Sequence, residues 1–254
     1  MMPNGPAFAD AVRIVGSTPG LDVGIHLSLV GEQCVAPPGQ VRGLAGPNGS
    51  LPASYASFIK AYALRRFGLR QIRAEIEAQV GRVLDAGIKP THLDSHQHLH
   101  ILPGILDMVL DVAKASGIHV VRLPLERGAV GRPLFSLRSI QLGALSVLCR
   151  RAMGKMRKTG MRFADHFWGL GVSGHMNEAN LVQILNRLRP GVNEIMCHPG
   201  FSDPATEKRY PWGYRWDDEA AALRSDAIRR TVEERHIRLA GFGDAWDAGD
   251  RPGP

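Results

Sequence analysis

Between Thr91 and His100 the chain reads Thr-His-Leu-Asp-Ser-His-Gln-His-Leu-His, with four imidazoles and a carboxylate at alternate positions. Successive side chains of an extended strand point to opposite faces, so His92, Asp94, His96, His98 and His100 share one face for as long as the strand lasts. Burying so many polar groups without partners costs roughly 1–3 kcal/mol each. Ordinary core is therefore a poor reason for gathering them. A divalent metal with acid–base groups around it is the simplest chemistry that needs them.

Two other apolar segments end in the same kind of group. His26 interrupts Asp22–Val30, and His198 follows Glu194–Cys197 in the turn Cys197-His198-Pro199-Gly200. A lone histidine in an apolar strand is more often core. Three strands carrying such groups at one end favour a site, because α/β folds build sites at the carboxyl ends of their strands. His26 and His96 are the candidate metal ligands. Asp94 either ligates directly or orients a ligand imidazole, as carboxylates do around metals. His92, near the strand start, reads as structural, while His98 and His100 read as pocket lining. A catalytic metal takes about three protein groups and keeps one position open, so the four cluster histidines are not all ligands. His198 suits proton transfer to a leaving group, its bland reading being a surface turn. Cys197 reads as core. Asp165-His166-Phe167-Trp168-Gly169 reads either as a further strand-end group or as core and rim. Trp212, Tyr214 and Trp216 with Arg215 read as a sugar-stacking surface or, equally, as a packed loop.

The elements that must position these groups follow from periodicity and punctuation. Helices are expected at 6–16, around Ile72, Ile76, Val80, Val83 and Leu84 with Gly87 as the stop, and at 105–115 closed by Gly117. Others are expected at 134–153, at 177–188 starting near Asn177, and at 217–234. Strands are expected at 22–30, 90–95, 118–123, 163–169, 194–197 and 237–240, with a Gly/Pro-rich loop from Gly31 to about Pro52. Alternation at this spacing predicts parallel βαβ units. With no glycine-rich dinucleotide turn, the fold class expected is α/β, a (β/α) barrel rather than a doubly wound sheet.

The chain has 254 residues, 44% of them hydrophobic and 22% charged, which suits a globular domain with a sizeable core. The net charge of +7 favours anionic partners. Arg150, Arg151, Lys155, Arg157, Lys158 and Arg162 concentrate it in one stretch, which reads as a solvated face, with a membrane surface as the alternative and nucleic acid not expected. The three cysteines, Cys34, Cys149 and Cys197, form no CxxC pair, which suits a reducing cytoplasm. No run reaches the ~18 apolar residues of a membrane span. The first residues do not read as a secretory signal.

Three segments together resemble a known family. Gly24-Ile25-His26-Leu27, Lys89 to His100, and Glu194-Ile195-Met196-Cys197-His198-Pro199-Gly200 look like the YdjC-like carbohydrate deacetylases, in order and over nearly the whole chain. Asp165 to Leu170 and Gly174-His175-Met176-Asn177-Glu178 look closest to the hopanoid-biosynthesis (HpnK) branch. The resemblance implies a single domain over 1–254, a distorted TIM-like (β/α) barrel, a divalent metal, and removal of acetyl from an N-acetylhexosamine, in that branch on a glycolipid. By position His26 and His96 match the family's metal-binding histidines, with Asp94 orienting and His198 protonating the departing amine. His98, His100, Trp168 and Trp212 are the expected substrate-binding residues.

The resemblance places the third ligand, an aspartate, and the likely general base in an adjacent acidic pair, followed by Phe-Gly, at the tip of the first strand. No such pair occurs here, so the first strand–helix unit is expected to lie upstream of Met1, with a truncated chain as the alternative. Imidazoles with a carboxylate suit zinc, cobalt or iron on softness, whereas the family is linked to magnesium, so zinc and magnesium both stay open. Two rival readings stand beside the deacetylase. One is a phosphoester hydrolase with the same ligands, the other an inactive sugar- or lipid-binding relic. The expected location is cytoplasmic, peripheral membrane contact through 150–162 and homo-oligomerisation being open.

Overall fold

The computed structural model describes residues 1–128 and 137–246. They fall into two compact units. The first gathers Met1–Arg122, Arg151–Phe163 and residues 241–246, and the second Leu123–Arg150 and Ala164–Ala240.

In the first unit β1 (Gly24–Leu27) lies parallel to β2 (His92–Ser95). The register pairs Gly24 with His92, Ile25 with Leu93, His26 with Asp94 and Leu27 with Ser95. Ile25 and Leu93, both fully buried, supply one apolar face. Parallel register puts paired residues on the same face, so His26 and Asp94 meet on the other. The stretch expected as a strand at 118–123 contributes bridges only, Leu93 to Val121 and Val120 to Arg162.

Helix α1 (Phe8–Gly16) precedes β1, and α2 (Tyr55–Ala63) follows the Gly/Pro-rich loop. Helix α3 (Leu69–Asp85) buries Ile72, Ile76, Val80 and Val83 at helical spacing. The same helix buries two polar side chains, Glu75 and Gln79. Gln79 clamps the backbone just past β1, accepting from Ser28 N at 2.9 Å and donating to Ser28 O at 2.6 Å. Glu75 accepts the amides of Val35 and Ala36 at 2.9 and 3.0 Å. Both polar groups thus have the partners that burial demands. Helix α4 (Ile105–Ala115) has the bounds expected from sequence.

Helix α5 runs Leu137–Lys158, and residues 134–136 of the expected 134–153 helix lie outside the described residues. In the second unit β3 (His166–Trp168) pairs in parallel with β4 (Asn193–Ile195). Helix α6 (Glu178–Leu185) is capped by Asn177, whose side chain accepts from Asn180 N at 3.0 Å. Helix α7 is Pro204–Arg209, with Asp203 as its cap. The expected helix at 217–234 is two helices, α8 (Trp216–Ala222) and α9 (Asp226–Glu234), because Ser225 caps the second through Ala227 N at 3.1 Å. Trp168, Val172, Met176, Leu181, Ile184, Leu185, Ala222 and Ile228 form the core of this unit. No strand forms at 237–240, where Ile237 packs on that core and Leu239 is exposed.

The expected α/β class with parallel pairing is present. The described strands, three or four residues long, form two parallel pairs, β1 with β2 and β3 with β4. No described helix is long and apolar enough to cross a membrane.

Candidate metal and proton-transfer sites

His26 and His96, far apart in sequence, stand edge to face with ring centres 5.8 Å apart. His26 lies in β1, whose Ile25 and Leu27 are buried, and its own side chain is 31% exposed. His96 is the first residue after β2. The chain then leaves the strand through a 3-10 turn, His96–Ile101, in which Gln97 and His98 adopt left-handed backbone with φ of 54° and 55°. Two adjacent non-glycine residues there are unusual. Their strain is held in part by Gln97, whose Oε1 accepts Tyr55 N at 3.1 Å and so anchors the start of α2.

Asp94 Oδ1 lies 2.8 Å from His26 Nδ1. Arg122 donates to the other oxygen, Oδ2. Burial alone would raise the Asp94 carboxyl, but the charges of His26 and Arg122 outweigh it and hold the group well below the usual carboxylate range. An ionised Asp94 accepts from His26 Nδ1–H, which leaves Nε2 of His26 as the ring's lone pair.

The turn also decides which cluster histidines do not share the face of His96. His100 is 1% exposed and uses both nitrogens. Its Nε2 donates to Arg122 O at 2.9 Å, so Nδ1 accepts from Ser95 Oγ at 2.6 Å. Burial pushes it down to about 4, neutral over most of the pH range. Both ring nitrogens of His100 are thus engaged within the protein. His98, ring centre 6.3 Å from that of His100, is held well below the usual imidazole range by desolvation and by its cationic neighbours. His92 is structural: its ring lies 4.0 Å from that of Phe242, and burial lowers it to about 4.

In the second unit the backbone N–H of His198 donates to Glu219, whose Oε2 also stands 4.0 Å from His198 Nδ1. Glu219 is fully buried in α8, and its Oε1 accepts Met176 N at 3.1 Å. The ring of His198 packs 5.0 Å from that of Tyr214, and Tyr214, Trp212 and Tyr210 continue at 5.4 and 4.8 Å. Trp212 is 40% exposed and available for stacking. Trp168 is 4% exposed, and its indole donates to Asn193 Oδ1 at 3.0 Å. Asp165 binds Val192 N at 2.8 Å and His166 contacts Pro190 O at 3.3 Å, so this pair holds a loop.

Sequence reasoning missed Arg122 and Glu219. Arg122 carried a signal, a lone cation in an apolar stretch expected as a strand. Glu219 carried none, being one of three acidic residues in Asp217-Asp218-Glu219.

The arrangement of His26 and His96 fits a shared divalent ion. Two imidazoles gripping one ion through bonds of about 2.1 Å bring their ring centres to roughly 5–6.5 Å. Among the described residues no group of three or more His, Cys, Asp or Glu is placed to hold a metal, so the candidate donor set there is the histidine pair with Asp94 behind it.

Comparison with known proteins gives a consistent family. The family described as YdjC-like protein matches residues 1–234. A human carbohydrate deacetylase is 29% identical over 262 residues, covering 96% of this chain and 80% of the relative. A chitooligosaccharide deacetylase of Citrobacter koseri is 30% identical over 248 residues, covering 95% and 84%. A crystal structure of an Enterococcus faecalis protein named for cellobiose-phosphate cleavage superposes with a TM-score of 0.74 at 21% identity, covering 94% of this chain and 84% of the other. The α/β fold is that of this structure.

Proposed function

This chain belongs to the YdjC-like family, and we propose that it is a metal-dependent deacetylase that hydrolyses the acetamide of an N-acetylhexosamine group. The observation that carries the reading is the approach of His26 and His96 to 5.8 Å, with Asp94 fixing the first ring. The carbohydrate and chitooligosaccharide deacetylases among its relatives support the substrate class. The scaffold we propose is a distorted (β/α) barrel, supported by the parallel pairing of β1 with β2 and its continuation through Val121 and Arg162.

His26 and His96 would hold the ion, zinc or magnesium. When bound, it supplies Lewis acidity toward the amide carbonyl and toward water. Asp94 keeps the proton on His26 Nδ1 and so commits Nε2 to the ion. The hydroxyl of water ends on the acyl carbon and its proton on the amine nitrogen as the C–N bond breaks, giving acetate and a free sugar amine. His198, held by Glu219, delivers the proton that the departing amine needs. Trp212 offers a face to a sugar ring.

Within this class we favour an N-acetylglucosaminyl hopanoid lipid, on the likeness of Asp165–Leu170 and Gly174–Glu178 to that branch. The exposed cations Arg150, Arg151, Lys155, Arg157 and Lys158 of α5 would then face an anionic membrane. Vesicle binding that survives charge reversal at these positions would remove the membrane contact.

The decisive test is incubation of the metal-loaded protein with N-acetylglucosamine-bearing oligosaccharides and glycolipids, with acetate and free amine read by NMR. Stoichiometric acetate and amine are expected, lost on His26→Ala and His96→Ala. Phosphate release from phosphoesters with no acetate from any N-acetyl sugar would overturn the reading.

A further inference from the structure

The first unit contains a closed set of contacts that the proposed chemistry does not by itself explain. Arg122 takes part through two separate groups. Its guanidinium holds Asp94 Oδ2, and its main-chain carbonyl accepts from His100 Nε2 at 2.9 Å. His100 is tied in turn to Ser95, through Ser95 Oγ to Nδ1 at 2.6 Å and through its own N–H to Ser95 Oγ at 3.0 Å. Ser95 and Asp94 are neighbours in β2, and His26 pairs with Asp94 across the sheet. The path Ser95–His100–Arg122–Asp94–His26 therefore begins and ends on the same two strands. His100 and Arg122 are the members reached from outside them, and the Arg122 side chain is 14% exposed.

We infer that Arg122 is a positioning residue for the metal site, acting through Asp94 to fix which nitrogen of His26 faces the ion; this rests on the proposed metal-dependent reading. A carboxylate on a single side-chain stem turns freely unless both oxygens are engaged. Arg122 occupies Oδ2, which aims Oδ1 at His26 Nδ1. A guanidinium suits this task because it offers a planar fork of donors and keeps its charge at every working pH. His100 fixes the backbone from which that side chain projects. The two otherwise idle members of the histidine cluster's frame, Ser95 and His100, thereby acquire a purpose: they set the origin of the Arg122 side chain.

The test is metal binding by calorimetry on metal-stripped protein, with zinc as the probe, independent of turnover. Wild type, Arg122→Met, Arg122→Lys, Asp94→Asn and the double variant Asp94→Asn/Arg122→Met are compared, with near-UV circular dichroism checking the fold. Arg122→Met is expected to weaken zinc binding about 10–100-fold, the range for outer partners of metal ligands, and Arg122→Lys to recover most of it. Because Arg122 acts through Asp94, its substitution should cost nothing further once Asp94 is asparagine, a coupling that a merely structural role would not produce. The double variant also removes the unpaired buried charge, so if Arg122→Met fails to fold, its comparison with Asp94→Asn still reads whether losing Arg122 costs anything once Asp94 is asparagine, while Arg122→Lys against wild type reads the effect with Asp94 in place. Wild-type binding with Arg122→Met and Arg122→Lys both unaffected, or additive losses in the cycle, would overturn the role of Arg122 alone. Failure of the wild type to bind any divalent ion would overturn the metal-dependent reading and this inference with it.

Discussion

His26 and Asp94 are cross-strand partners, and the same register that pairs their backbones sets the 2.8 Å contact between their side chains. The proposed ligand and the carboxylate proposed to orient it are thus fixed by strand pairing, not by a flexible loop. Asp94→Asn keeps the shape and removes the charge. It should weaken divalent-metal affinity about 10–100-fold while leaving the circular dichroism spectrum unchanged. Titration calorimetry checks this, and unaltered affinity would deny Asp94 its orienting role.

His198 is expected to act in proton transfer. His198→Ala should lower kcat on the order of 10²–10⁴-fold with KM changed little, measured by acetate release at saturating metal. Glu219→Gln removes the carboxylate that faces this ring and should cause a smaller loss in the same parameter. A KM effect alone in both variants would reassign them to substrate binding.

Stability should fall in acid through His100. Burial lowers its pKa in the folded protein from the ordinary 6.5 to about 4. Between those values the unfolded chain binds the proton and the folded one does not, so stability rises with pH across that window. It is fully present above about 6.5 and lost as pH falls toward 4, at most roughly 3 kcal/mol. Urea melts of metal-free protein at several pH values check this. His92 and His98 are shifted in the same direction, so His100→Gln should reduce the dependence without abolishing it.

The core behind β1 is equally testable. Ile25 is fully buried, so Ile25→Ala should cost about 2–5 kcal/mol. Its neighbour His26 points away from that core, and His26→Ala should leave the urea midpoint near wild type. A large shift for His26→Ala would mean that the ring serves packing.

Much of this site was legible before any coordinates. The apolar flanks of His26 and the alternation around Asp94 announced two strands, and the 3.6-residue spacing from Ile72 to Val83 announced α3. Alternation misled beyond His96, because it assumes extended backbone. The left-handed residues Gln97 and His98 end the strand at once, and His100 turns inward instead of joining the face of His96. Pairing partners were not legible either. Nothing local says that His26 faces Asp94, or that Arg122 reaches it, since register depends on how whole strands align. Trp168 was open in the same way: its place near a strand end left core and rim undecided, and its indole found Asn193 across the sheet.

The tie between Gln97 and Tyr55 has a practical meaning for anyone borrowing this histidine-rich segment. A graft of residues 91–101 into a foreign scaffold would arrive without the amide that steadies its unusual bend, and the imidazole at its tip would wander. The portable unit is larger than the motif: it includes the start of α2.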